Sequence, residues 1–565
     1  MKKYTFIFVL SSTLCIFGII IFSPIYLSNN LIFIYAIHPF NICTAYPIFW
    51  NNIKVLFIII YIYSSLIISN YAYIHIYKKI QKKSIINNHT KLNLSISNLN
   101  LYIGYDEKNN DIYIPEKSLY QNILITGTIG TGKTSSAMYP FTKQLIEHNH
   151  FDYANKIGML ILDVKGNYYR EVYKYAKIYN RLDDIIVIEL NGKYKYNPLN
   201  KPNLKASVLA NRLKTILLLF SKNNTESYWL DEAEKILAEC IKLCRLYNDN
   251  YVTFEEIHKL VTNKDYYVEK IQILRNNFLV QDFDNEKKYD LLSSITFLED
   301  EYWKMDERTL SILKSEITRI TNYFVSDYSV SKTFNPQINE ENFHGFTDLI
   351  NNGKIVILNM NIAEYRNLSK IIATYLKLDF QTEVLSRLSK KNITRTVAFI
   401  CDEYHEYITL NDADFFSQSR EAKCINLVST QSYSSLLNTL QNNTNLNVIL
   451  QSLVNKLWFR SDDLFTIEEI QKQIGKEEKE KISKTISENS NDTSYNYLNN
   501  SFYSNKSNIS ESINQYFQSD YIYDTNFFTQ NLKTFTCIAF ISDGINIIPP
   551  QKINLIPYFK ERKNV

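Results

Sequence analysis

The chain has 565 residues and a formal net charge of +4, with 62 Lys and Arg against 58 Asp and Glu. A single hydrophobic core seldom organises more than roughly 250 to 300 residues, so two or three packed units are expected. The small net charge excludes the global basic excess of a protein that coats nucleic acid and confines any such contact to a local surface. Seven cysteines, at Cys15, Cys43, Cys240, Cys244, Cys401, Cys424 and Cys537, form no CxxC pair and no Cys/His cluster of zinc spacing. That pattern points to a reducing compartment without a structural metal, and Cys240 and Cys244, four apart on an amphipathic pattern, read as buried small apolar residues.

Residues 1–83 read as a membrane anchor. Tyr4 to Phe22 and Val55 to Ser69, the latter continuing to Tyr77, are apolar stretches that approach the roughly 20 residues needed to span a bilayer. Lys2 and Lys3 precede the first, Lys78, Lys79, Lys82 and Lys83 follow the second, and no Lys or Arg lies between Ser23 and Asn52. The positive-inside rule then predicts a lipid-embedded helical hairpin with both termini and the body in the cytoplasm. The competing reading of the first segment is a cleaved signal peptide, which lacks a small-x-small cleavage site near Ser23 and would leave the body in the same place.

A polar linker is expected over 84–111, followed by the first part of a nucleotide-binding domain over 112–204. Asn122 to Thr126 reads as a buried strand leading into Gly127-Thr128-Ile129-Gly130-Thr131-Gly132-Lys133-Thr134, a full G-x-x-x-x-G-K-[ST] match, with helix signals from Ser135 to Leu145. The glycines let backbone N–H groups wrap the phosphates of ATP, Lys133 reaches the β and γ oxygens, and the Thr134 hydroxyl ligates Mg²⁺. Ser135 opens the helix at the same phosphates.

Residues 205–338 read as an all-α insertion. Ala206 to Leu219 and Trp229 to Cys244 carry apolar residues at helical spacing, and Thr253-Phe254-Glu255-Glu256 is a capping-box pattern with Val252 placed to staple against Ile257. Strand-like sequence resumes at Lys354 to Met360, within a second nucleotide-binding part over 339–565. Thr396 to Cys401 is an apolar, β-branched run ending in Asp402-Glu403, where Asp402 would hold Mg²⁺ and Glu403 would polarise the attacking water. Arg420 follows on a predicted helix, and Gln431 closes the next strand, Cys424 to Thr430; a guanidinium suits phosphoryl charge and an amide can sense the γ-phosphate. Val454 to Arg460 and Phe535 to Ser542 read as closing strands. The Ser/Asn-rich stretch 483–519 reads as a loop or hairpin, with plain surface disorder favoured.

Taken together the pattern is α/β with a mostly parallel sheet. The ordered motifs resemble the type IV coupling proteins of conjugation and type IV secretion, within the RecA-like, additional-strand class of P-loop NTPases. The likeness runs from the N-terminal hairpin to the last strand. It rests on the P-loop, Leu162-Asp163-Val164-Lys165-Gly166, Tyr196-Asn197-Pro198-Leu199, Trp229 with Ala233, Gly353 to Leu358, Asp402-Glu403 and Ser429-Thr430-Gln431-Ser432. The resemblance implies a homo-hexamer with a central channel, an Arg420 that acts across the subunit boundary, and an inserted helical domain that meets relaxosome components or effectors. It further implies transport of relaxase-bound single-stranded DNA, protein effectors or both into the secretion channel. Asn167 departs from the pattern, since members often carry Glu there.

Two other readings are open. A chromosome-type translocase or a secretion-channel assembly ATPase would share the core, and translocation of duplex DNA with strong sequence polarity would favour the former. A non-hydrolysing, membrane-tethered substrate receptor would require a decayed site, yet Lys133, Thr134, Asp402 and Glu403 are all present.

Overall fold

The computed structural model describes residues 8, 10–16, 47–72, 99–220, 227–280, 284–389, 393, 395–489, 494–496, 501–503 and 508–560. It divides into two units, Met1–Ser97 and Asn98–Val565.

In the first unit, Pro47–Ala72 forms one helix that turns Val55, Ile59 and Tyr63 outward. Its hydroxyl side lies along the first apolar segment. Ser65 Oγ is 3.2 Å from Ser11 Oγ, and Tyr61 OH donates to the Leu14 carbonyl at 3.1 Å. Among the described residues no helix is long and apolar enough to cross a membrane.

The second unit is built on a sheet whose central strands are buried at every position. β1 (Asn100–Tyr105), β2 (Asp111–Pro115), β3 (Ile123–Thr126), β4 (Gly158–Leu162), β5 (Ile185–Ile188), β6 (Ile355–Leu358), β7 (Val397–Cys401), β8 (Cys424–Thr430) and β9 (Asn455–Trp458) precede a hairpin region. That region contains β10 (Lys476–Asn489), β11 (Ser494–Asn496), β12 (Ser501–Tyr503) and β13 (Asn508–Tyr521); β14 (Thr536–Phe540) and β15 (Gln551–Asn554) follow. Eleven of these strands form one sheet in the order β2-β1-β15-β14-β9-β3-β8-β7-β4-β6-β5. Pairing is parallel from β9 through β5 and antiparallel from β14 to β2. Continuous apolar runs such as Ile123-Leu124-Ile125 suit parallel strands covered on both faces. β8 lies between the P-loop strand β3 and the carboxylate-bearing β7.

Alternate residues of these strands enter two cores. Ile123, Ile125, Met159 and Ile161 meet the helices Tyr139–Glu147 and Tyr168–Ile178. Leu124, Leu160 and Leu162 belong to a core shared with the helical insertion, whose helices include Ala206–Leu218, Ser227–Tyr247, Phe254–Thr262 and Glu307–Val325. The insertion therefore packs on one face of the sheet as part of the same unit. Thr253 caps its helix by accepting from the Glu256 backbone N–H at 3.2 Å. The reciprocal half of the capping box is replaced: the Glu256 carboxylate accepts from Tyr247 OH and Tyr266 OH, each at 2.7 Å.

Two expectations change. The expected linker 84–111 already contains β1 and the start of β2, which pair along the sheet edge, so the body begins near Leu99; residues 84–98 lie outside the described residues. The Ser/Asn-rich stretch takes the hairpin form. β10 and β13 pair antiparallel from Lys476↔Tyr521 to Asn489↔Asn508 as a two-stranded ribbon separate from the main sheet.

Candidate nucleotide site

β3 carries the chain from the core straight into Gly127. The loop turns with Gly130 at φ 79° and Gly132 at φ 99°, left-handed values that favour glycine. At Gly132 a Cβ would also come within 2.4 Å of the Phe535 ring. The helix that follows begins with a π-helical turn, Lys133–Met138, before the α-helix Tyr139–Glu147. Three neighbours hold the loop. Arg460 O accepts from Thr128 N at 2.9 Å, Thr131 O accepts from Phe535 N at 3.0 Å, and Ser135 O accepts from Tyr558 N at 2.9 Å. Ile129 stands exposed at the tip.

Lys133 is buried and donates from Nζ to the Gly127 carbonyl at 2.5 Å and to the Thr128 carbonyl at 3.2 Å. Burial lowers its pKa, against the attraction of Glu403 and then Asp402. Parallel pairing brings the end of β7 beneath the loop through β8. Thr134 Oγ1 donates to Asp402 Oδ2 at 2.9 Å, and Ser429 Oγ on β8 donates to Asp402 Oδ1. Glu403 sits in a left-handed conformation, φ 50° and ψ 49°. A non-glycine residue there carries strain of the kind concentrated at functional sites. Glu403 Oε1 lies 3.6 Å from Lys165 Nζ. Glu403 Oε2 is buried without a hydrogen-bond partner among the described residues, with His405 Nδ1 3.8 Å away.

This donor set fits a magnesium-bound nucleoside triphosphate. Thr134 and Asp402 offer the hard oxygen ligands Mg²⁺ takes, and the orphaned Glu403 Oε2 is an acceptor free to orient water. Gln431 follows Thr430, whose register partner is Thr126, so it stands at the same edge as Gly127. Arg420 does not join them. It is exposed in the turn before β8, and the six steps from Cys424 to Thr430 separate it from that edge by about 20 Å. It forms no ion pair with Asp402 or Glu403 of its own chain.

Sequence reasoning passed over Ser429, His405, Lys165 and Asp163 as site components. Lys165 and Asp163 lie within the quoted Leu162–Gly166 motif. Asp163 accepts from the backbone N–H groups of Lys165, Asn167 and Tyr168 at 3.0 to 3.1 Å, and burial nevertheless raises its pKa. Asn167 thus contributes its backbone to this turn. His405 carries no local signal. Burial lowers its pKa, and its ring lies between Glu403 and Glu406 at the wall of a cleft of about 930 Å³ that is also lined by Arg319, Asn322 and Lys370.

A family profile described as the type IV secretion-system coupling protein DNA-binding domain matches residues 109–298. A second, described as the TraM recognition site of TraD and TraG, matches residues 396–516. Among solved structures the chain is similar to the unbound bacterial conjugative coupling protein TrwBΔN70, at 14% identity and a TM-score of 0.53, over 79% of this chain and 86% of that one. It is also similar to plasmid coupling protein TrwB in complex with ADP and Mg²⁺, at 13% identity and a TM-score of 0.52, over 80% and 89% of the two chains. TrwB in complex with a non-hydrolysable ATP analogue matches at 14% identity and 0.51, over 79% and 87%. No curated protein sequence gives a significant match. With coupling-protein profiles matching on both sides of the P-loop and of the Asp402-Glu403 pair, and with the fold shared with TrwB, the chain belongs to the type IV coupling proteins.

Proposed function

We propose that this protein is a membrane-anchored ATPase that drives DNA, as a relaxase-bound single strand, and protein substrates into a type IV secretion channel. One observation carries the reading: Thr134 Oγ1 meets Asp402 Oδ2 at 2.9 Å across 268 residues of sequence, joining a phosphate loop to a hydrolytic carboxylate pair. The membrane anchor rests on the paired apolar segments and the lysines that flank them.

In this mechanism Lys133 exchanges the Gly127 and Thr128 carbonyls for the β and γ oxygens, while the backbone of Gly127 to Thr134 and Ser135 wraps the phosphates. Thr134 and Asp402 would hold Mg²⁺, which would supply charge neutralisation to the phosphates. Glu403 Oε2 accepts a proton from the attacking water, with Lys165 Nζ 3.6 Å from Oε1 of the same carboxylate. Gln431 reports the γ-phosphate from the end of β8. Arg420, at the far edge of its own sheet, acts on a neighbouring copy's site, which requires a ring; a homo-hexamer meets that requirement.

The test is transfer of a marked conjugative element from cells carrying wild type or Lys133→Ala, with membrane assembly checked in both. Loss of transfer at normal assembly is expected. Unchanged transfer would end the coupling role and favour effector secretion without conjugation.

A further inference from the structure

The β10–β13 ribbon has two chemically different faces. Residues opposite one another in an antiparallel pair project to the same side, and successive residues alternate. From the register Glu480↔Phe517, Ile482↔Gln515, Lys484↔Ile513 and Ile486↔Glu511, one face gathers Ile482, Ile486, Ile513 and Phe517. The other carries Lys481, Ser483, Thr485, Ser512 and Asn514, with Tyr516 its one large ring. All four apolar side chains stand exposed, at 64%, 62%, 60% and 73%. A lone two-stranded ribbon is marginal in water, and this one adds an uncovered apolar face.

We propose that this face packs against the same face of a second copy, as an isologous contact about a two-fold axis through Ile482. Placing the axis across the strands lays β10 on β10 and β13 on β13, each pair running in opposite directions. Ile482 then meets its own counterpart, Phe517 meets Ile513, and Lys484 meets Glu480, so the apolar pairs coincide and unlike charges face each other. Glu478 is the mismatch, falling opposite Ile486. Fourteen residues at about 3.4 Å give a face about 48 Å long and about 10 Å wide, so two faces bury on the order of 1,000 Å², the lower bound for a specific interface. An isologous contact closes at two copies, which makes it distinct from any ring interface.

Cysteine cross-linking of the full-length protein in membranes tests this directly. Ile482→Cys should give a disulfide-linked dimer on mild oxidation, Thr485→Cys on the polar face should not, and wild type provides the background for the native cysteines. In detergent, sedimentation of Glu478→Leu should shift association to at least tenfold lower concentration. Ile482→Glu with Phe517→Glu should shift it at least tenfold higher at an unchanged thermal midpoint. Equal cross-linking from both faces, or sedimentation unmoved by either variant, would overturn the pairing and leave the face to a different protein or to lipid.

Discussion

Replacing Lys456 by Met is expected to stabilise the protein at neutral pH and to lose most of that advantage as pH rises. Lys456 lies on β9 at 4% exposure, beside a cavity of about 600 Å³ that Tyr433, Phe540, Glu469 and Lys472 also line. No hydrogen bond or ion pair reaches it among the described residues. The Phe540 ring centroid is 5.9 Å from Nζ, and Glu469 is paired with Lys472 at 2.7 Å. Burial lowers the Lys456 pKa from 10.5 to about 8. Below pH 8 the ammonium is charged in both folded and unfolded chains, and the full cost of burying it is present. Between pH 8 and 10.5 the unfolded chain binds a proton that the folded one lacks, so stability rises with pH. At about 1.4 kcal/mol per pH unit the cost is about 3 kcal/mol at pH 7 and about 1.4 kcal/mol at pH 9.5. Met fills a similar volume without the charge. Urea unfolding of wild type and Lys456→Met at the two pH values should show the variant more stable at pH 7, with the difference shrinking by about 2 kcal/mol at pH 9.5. A difference of constant size, or a variant weaker at both values, would mean that Lys456 has a carboxylate partner in the assembled protein.

Glu403→Gln should slow phosphate release by about 10² to 10⁴ while leaving affinity for a non-hydrolysable ATP analogue within a few-fold, since the amide keeps the shape but accepts no proton; unimpaired turnover would remove Glu403 as the base. Gly132→Ala introduces a Cβ at φ 99° and 2.4 Å from the Phe535 ring, so calorimetry should find nucleotide affinity at least tenfold weaker, with about 1 to 3 kcal/mol of strain to accommodate. Wild-type affinity would contradict that packing. Lys133→Ala and Arg420→Ala should each be inactive alone yet regain ATPase activity when mixed, because a Lys133-bearing site can borrow Arg420 from its neighbour. Mixtures as inactive as their components would place Arg420 outside the site.

What could be read from the sequence follows from how locally each feature is specified. The phosphate loop dictates its own spelling, and β3, β7 and β8 are buried on both faces, so their apolar runs stand out; β8 spans Cys424–Thr430 as expected. β1 and β2 escaped because they form a short edge hairpin around Asp106 and Asn110, and their link to the sheet is Tyr105 pairing with Asn554, more than 400 residues away. The ribbon had a local signal, the alternation Ile482, Lys484, Ile486, but its Ser/Asn content weighed more heavily than its period. Ser429 and His405 acquire their roles only when β7 and β8 lie side by side. Arg420 shows the limit of sequence spacing, since 17 residues after Glu403 is enough to return the chain to the opposite edge of the sheet.

The chain path gives the phosphate loop a mechanical neighbour. Arg460 O accepts from Thr128 N, and the next residue, Ser461, donates its N–H to Phe528 O. From there the helix Leu464–Ile474 leads to the ribbon at Lys476, and the ribbon returns at Tyr521 just before Phe528, with Gln471 Nε2 holding the Tyr523 carbonyl at 3.0 Å. Both ends of the ribbon are therefore fastened to the segment that grips the loop, and Trp458, Ile467, Ile470, Phe528 and Leu532 form one small core beneath that junction. Any shift of the loop on nucleotide binding would press on this packed core, and close-packed interiors transmit strain. If the ribbon joins copies through its apolar face, nucleotide state and ribbon association bias each other equally. The same sedimentation experiment, run with ADP and with an ATP analogue, measures that linkage, and identical association in both states would uncouple them.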